Sequence, residues 1–265
     1  MNISIGQYVP GESIFHRSDP RTKLLMTFAY MVIILLIDSF VGYAVAALFL
    51  LTAIISSRIG IRMVLKSLKP IIFLIVFTVI LNVFLYKGET LLLSFGFINI
   101  YKEGLFFSIK MIIRIMLLIT GASLLTYTTS SIMLTDGLER LMAPLSVVGF
   151  PSHDIAMMIS IALRFIPTFA EETERIMRAQ ASRGSDFDSK KLRDKIRAFI
   201  PVLVPLFIGA FRRATDLATA MEARCYRGGK DRTRYRVLKY TKADLILTSI
   251  FIVFSILIIL TRILF

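Results

Sequence analysis

Cysteine is nearly absent: one residue, Cys225, in 265. A lone thiol excludes an internal disulfide framework and a cysteine-based zinc site. Histidine is almost as scarce. His16 and His153 stand isolated, which argues against a histidine metal site and for loop or capping roles. Gly-Lys occurs once, in Arg-Gly-Gly-Lys-Asp at 227–231, without the upstream glycine and with Asp231 where a hydroxyl residue would stand. There is therefore no phosphate-cradling loop, and the chain is not expected to be an enzyme that hydrolyses ATP. No paired Asp-rich motifs are available to hold magnesium. Carboxylates are rare in the apolar runs, against a proton-coupled carrier. Asp136 and Glu139 sit beside Arg140 and suit ordinary surface pairing. The first apolar run begins only at Leu24, behind a polar segment, so no cleavable signal is expected.

What is abundant is apolar sequence. Hydrophobic residues make up 56% of the chain, and mean hydropathy is +0.73. The formal charge is +14, from 32 basic and 18 acidic residues. In a soluble protein that charge would suggest nucleic acid. Here the apolar runs require a bilayer, and the charge is read by position, because cytoplasmic loops collect Lys and Arg. The expected class is an all-α polytopic membrane protein in contact with lipid and not with nucleic acid.

Residues 24–57 carry one charge, Asp38. As a single helix they would run about 50 Å, too long for a ~30 Å hydrocarbon core. A hairpin around Asp38–Gly42 gives two passes. Arg17, Arg21 and Lys23 precede the pair and Arg58, Arg62, Lys66 and Lys69 follow it, so both flanks belong on the cytoplasmic side. A third pass is expected over Pro70–Tyr86. The far loop, Lys87–Glu103, balances Lys87 and Lys102 against Glu89 and Glu103; its stretch 91–100 is too short to span as a helix, and an interfacial or re-entrant course is expected. A fourth pass, Gly104–Tyr127, contains Lys110 and Arg114 on one helical face. Snorkelling and helix packing account for such a pair, but ionisable groups within a span are also a functional hypothesis. The fifth pass is Ala243–Phe265. The N-terminus is expected inside the cell and the C-terminus outside.

Residues 131–242 hold 20 basic and 12 acidic residues, net +8, interleaved with apolar residues at helical spacing. The chain is thus divided into 1–130, 131–242 and 243–265, with the middle part a cytoplasmic region of one shorter and two long helices. The shorter helix is expected over Ser131–Met142. Val-Val-Gly-Phe-Pro-Ser, with Gly149 and Pro151, makes a turn. One long helix is expected over His153–Arg183 with Ser152 as N-cap, the other over Lys190–Arg227. Pro167 is a possible kink point, and Gly184 and Gly228–Gly229 are the stop signals. Each helix is apolar in its first half and charged in its second.

The two helix ends share a pattern: Ala179 to Arg183 and Ala220 to Arg224 both read Ala-x-x-(Ser/Ala)-Arg, 41 residues apart. Arginine in a last turn complements the helix dipole without any partner. Two matched ends also suggest two matched sockets, most simply on a dimeric partner.

Residues 8–25 (YVPGESIFHRSDPRTKLL) and 130–184, with AMEARCYRGG at 220–229, resemble the T component of energy-coupling factor transporters, ABC-type importers of vitamins and metal ions. The similarity runs along essentially the whole chain. It implies two ABC ATPase subunits on the cytoplasmic face, which bind the ATP and magnesium, and a small membrane-embedded S component that selects the cargo; this chain itself would carry no cofactor. The family's paired arginine motifs fall on Ser182-Arg183-Gly184 and Ala223-Arg224-Cys225, each implied to dock in a groove of one ATPase. Ser182 stands where Ala is common and Cys225 where Gly is common; both are small. Within the N-terminal signature, Asp19 is expected to cap a helix and Pro20 to occupy its first turn. The competing reading from the residues is a stand-alone carrier or channel built on Lys110 and Arg114.

Overall fold

The computed structural model describes residues 8–85, 88, 90–95, 98–228 and 238–264. Tyr86, Lys87, Glu89, Gly229, Lys230, Asp231 and Phe265, which enter the expectations above, lie outside the described residues. The described chain is almost wholly helical. It divides into two compact units, one from residues 8–141 and 238–264, the other from residues 142–228.

The first unit contains α1 (Ile14–Arg17), α2 (Pro20–Leu35), α3 (Phe40–Ser57), α4 (Ile61–Leu68), α5 (Ile72–Leu85), β1 (Leu91–Phe95), β2 (Ile98–Tyr101), α6 (Lys102–Thr128), α7 (Ser131–Met142) and α10 (Lys242–Leu264). The expected hairpin breaks where the lone charge lies: α2 stops at Leu35, and Ser39 caps α3 by accepting from the Gly42 N–H at 3.1 Å. A 3-10 turn over Lys69–Ile71, containing Pro70, joins α4 to α5. Strands β1 and β2 pair antiparallel, Leu91 with Tyr101 and Phe95 with Ile98, so this stretch is not a helix. The two strands are apolar and β-prone, and pairing gives their backbone groups partners.

Among the described residues, five helical segments are long and apolar enough to cross a membrane: α3, the continuous Ile61–Phe84 segment, α6, α8 (Ser152–Ser182) and α10. The number agrees with expectation, but the set differs. Truncated between Pro20 and the Asp38 turn, α2 has sixteen residues, about 24 Å, short of a ~30 Å core. By length and composition alone α8 joins the set instead, a criterion that does not by itself make it a membrane pass.

The core of this unit lies between α2, α3, α6 and α10. Phe49 stacks on Phe254 at 4.2 Å, with Tyr30 and Phe251 beside them. Small residues let membrane helices approach closely, and Gly121 is such a place: a Cβ there would strike the Tyr30 ring. Tyr30 is 4% exposed, and its hydroxyl donates to the Leu117 carbonyl at 3.2 Å. The start of α7 has Ser130 as its cap, accepting from Met133 N–H, and Gly137 packs on Pro20 and Leu24.

A buried polar knot fastens the N-terminal signature to α10. Asp19 caps α2 with Pro20 in the first turn, and its carboxylate accepts from Arg21 at N (2.9 Å), Nε (3.0 Å) and Nη2 (2.8 Å). Its own N–H donates to Asp244 Oδ1 at 2.7 Å, while Asp244 Oδ2 accepts from the N–H and hydroxyl of Thr241 at 2.6 and 2.8 Å. The Arg21 guanidinium lies 4.2 Å from the Tyr240 ring centroid, and Lys23 Nζ donates to Thr128 O and Thr129 Oγ1, both at 3.1 Å. Burial pushes the Asp19 carboxyl up, but the hydrogen bonds and charge of Arg21 outweigh it and hold the group below its ordinary value. His16 serves the same segment, with Nδ1 2.6 Å from Ser13 Oγ and Nε2 2.9 Å from Val9 O, a loop role as expected.

The second unit contains a 3-10 turn over Ala143–Val148, then α8 and α9 (Leu192–Ala223). Ser152 is not an N-cap but the first residue of α8, 6% exposed. Pro151 takes the cap position, where its missing N–H leaves nothing unsatisfied. Likewise α9 is shorter at both ends than the expected Lys190–Arg227, because its closing turn is already complete at Arg224.

Candidate functional site

The candidate site is the pair of helix ends, whose backbones are closed in the same way. In α8 the Gly184 N–H donates to Ala181 O and the Ser185 N–H to Gln180 O, both at 3.0 Å. In α9 the Cys225 N–H donates to Glu222 O at 2.8 Å and the Tyr226 N–H to Met221 O at 3.0 Å. Each end is thus a Schellman motif, with one bond across four residues and an outer bond across six. The arginine is the last right-handed residue in both: Arg183 at φ −91°, ψ 6°, and Arg224 at φ −93°, ψ 16°. The left-handed residue that reverses the chain follows it, Gly184 at φ 90° and Cys225 at φ 55°.

This turn explains the small residues around each arginine. The left-handed position favours glycine, and Cys225 accepts a conformation that costs an L-residue about 1–2 kcal/mol. Ser182 and Ala223 occupy the last helical turn without bulk. Both arginines are exposed, as are Ser182, Gly184, Ala223 and Cys225, and neither guanidinium has a side-chain partner among the described residues. A planar guanidinium presents five donors in a fixed fork, so each end offers one cation with geometry suited to carbonyls or carboxylates.

The two helices pack antiparallel. The Tyr226 hydroxyl lies 3.1 Å from Met157 Sδ, Arg213 Cζ is 5.2 Å from the Phe169 centroid, and Arg213 Nη2 meets Glu172 Oε2 at 2.7 Å. As α9 runs backwards, its partners on α8 advance. Arg224 is therefore level with the first turns of α8, whereas Arg183 stands at the far end, about 35 Å away along the pair at 1.5 Å per residue. The motifs face opposite ends of one helix pair and do not converge on a single pocket. The sequence pattern reveals the match between the ends but not this separation, which depends on the direction of packing.

Lys110 and Arg114 each find a neighbour within the first unit. Arg114 Nη2 donates to the Ile37 carbonyl and lies 3.3 Å from Asp38 Oδ1, so it ties α6 to the turn between α2 and α3. Ile37 O also accepts from the Tyr43 hydroxyl at 2.9 Å. Lys110 Nζ sits 5.3 Å from the Phe40 centroid. Among the described residues no cluster of three or more His, Cys, Asp or Glu is placed to hold a metal ion.

The family described as cobalt transport protein, CbiQ, matches residues 11–235. A protein of Ruminiclostridium cellulolyticum named energy-coupling factor transporter transmembrane protein EcfT is 54% identical over 253 residues, covering 96% of this chain and 94% of its own. The protein of that name from Thermosediminibacter oceani is 52% identical, covering 92% and 91%, and that from Clostridium kluyveri 48% identical, covering 99% and 97%. These relatives are named as membrane components of transporters and not as enzymes. With a multi-helix membrane unit, two arginine-ended helices and near full-length identity of this order, the chain belongs to the CbiQ/EcfT family of energy-coupling factor transporter transmembrane proteins.

Proposed function

We propose that this chain is the coupling subunit of an importer, joining two ABC ATPase subunits to a membrane-embedded S component. Each arginine end seats in a groove of one ATPase, through Ser182-Arg183-Gly184 on α8 and Ala223-Arg224-Cys225 on α9. Magnesium and ATP belong to those partners. Nucleotide-driven closing and opening of the ATPase pair moves α8 and α9, and that motion reorients the S component, which releases a vitamin or a metal ion. The N-terminus and residues 131–242 face the cytoplasm.

The observation that supports this reading is the duplication: two exposed arginines on congruent helix closures, at opposite ends of one antiparallel pair. Dipole complementarity alone accounts for an arginine near a helix end, but not for two ends with the same turn, similarly small flanking residues and no side-chain partner among the described residues. The test is purification of the tagged chain from its native membrane in mild detergent. The wild type is expected to bring two ATPase subunits and a small membrane protein; the Arg183→Glu/Arg224→Glu variant is expected to lose the ATPases. A wild-type chain that purifies alone contradicts the reading.

A further inference from the structure

The offset that superimposes the two arginine ends also superimposes the two residues that join the helices. Arg183 and Arg224 are 41 apart, and so are Glu172 and Arg213. Glu172 stands eleven residues before its arginine on α8, and Arg213 eleven before its own on α9. Because the helices are antiparallel, the 2.7 Å ion pair between them lies at the middle, with one arginine about 16 Å away on each side.

The surroundings of the pair are specific. Its side chains are only 32% and 28% exposed. The Phe169 ring lies under the guanidinium at 5.2 Å. Gly209 faces Glu172, and a Cβ there would stand in van der Waals contact with the carboxylate, 3.4 Å from Oε1. Arg213 Nη1 and Glu172 Oε2 are both buried without a hydrogen-bond partner among the described residues, so the 2.7 Å contact joins opposite charges without hydrogen-bond alignment. A half-buried ion pair with an unsatisfied donor is a poor source of stability, since desolvation and the unmet hydrogen bond work against it. Apolar residues of similar volume would hold two helices together at least as well. What the charges add is register: opposite charges at one level of each helix fix which turn of α8 faces which turn of α9.

We infer that Glu172 and Arg213 form the pivot of an equal-armed lever, positioning residues that hold the two arginine ends at a fixed separation so that both ends move as one body. The inference rests on the coupling function proposed above, but the joint is measurable without any ATPase. Without the pair, α8 and α9 slide or splay, and displacement of one end no longer fixes the position of the other.

The experiment places spin labels at the equivalent exposed positions Ala179→Cys and Ala220→Cys, with Cys225→Ser, in the full chain in lipid nanodiscs, and reads the label-to-label distance distribution. The parent chain gives one narrow peak. Glu172→Gln, which keeps size and removes charge, and Arg213→Gln, which removes charge and shortens the side chain, each broaden it about twofold or more, and the exchange Glu172→Arg/Arg213→Glu narrows it again. In the complex with its ATPases, MgATP with vanadate shifts the parent peak as a whole, whereas in the single variants it splits the distribution. Single variants with the parent's width overturn the inference, as does broadening that the charge exchange fails to reverse. If no ATPase accompanies the parent chain, the coupling function fails, and the nanodisc measurement still decides the joint.

Discussion

Glu172 of α8 and Arg213 of α9 meet at 2.7 Å, each eleven residues before the arginine that ends its helix. That relation makes the second unit a two-ended object in which neither end is terminal to the other.

Cys225 is the left-handed residue of the second motif at φ 55°. Replacing it with glycine removes the side-chain penalty of that conformation, roughly 1 kcal/mol or somewhat more. Cys225→Gly is therefore expected to slow amide exchange at Tyr226, and Gly184→Ala, at φ 90°, to speed exchange at Ser185. Hydrogen–deuterium exchange on the full chain reads both.

The Asp244 carboxylate collects three donors, from Asp19 and Thr241, while 4% exposed. Asp244→Ala leaves them unsatisfied, each a loss of about 1–3 kcal/mol if it stays buried. The variant is expected to melt well below the wild type in detergent, with the N-terminal segment becoming protease-sensitive first. Thr241→Ala, which removes one hydroxyl donor, should cost far less.

Asp19 carries the pH dependence of the same knot. Its carboxyl is below its ordinary value of 3.8 in the folded chain, so its contribution is fully present above that value. The contribution is lost as pH falls through the lower, folded value. Acid melting curves are expected to show less loss of stability below pH 4 in Asp19→Asn, which begins from a lower stability at neutral pH.

Arg114 anchors the turn after α2 through the Ile37 carbonyl. Arg114→Ala is expected to lower thermal stability by roughly 1–3 kcal/mol, the range for breaking a charge-assisted hydrogen bond at a largely buried site. Lys110→Ala should change it little. Transport by the purified chain without ATP, sensitive to these two residues, would instead favour a carrier.

The helices were legible in the sequence where punctuation was local. Pro20, the Asp38 turn and Gly184 mark ends that the structure keeps to within a residue or two, and the arginine ends announce themselves by repetition. What depends on contact at a distance was not legible. Asp244 reads as a charge interrupting an apolar run until Asp19, 225 residues away, is seen to donate to it. Glu172 and Arg213 read as two of many charges on polar faces; the offset of 41 held the signal, but only antiparallel packing gives it meaning. The pairing of β1 with β2 was not legible, because a short apolar run does not reveal whether its backbone pairs with itself.

The central claim is that two arginine ends hold two ATPases. A photo-crosslinking amino acid at Ser182, and separately at Ala223, placed in the full chain in its native membrane, tests it most directly. The account predicts that both positions capture an ABC ATPase subunit, and that Arg183→Glu or Arg224→Glu abolishes capture at its own end. Capture of no ATPase from either position, or capture unaffected by the neighbouring arginine, would contradict it.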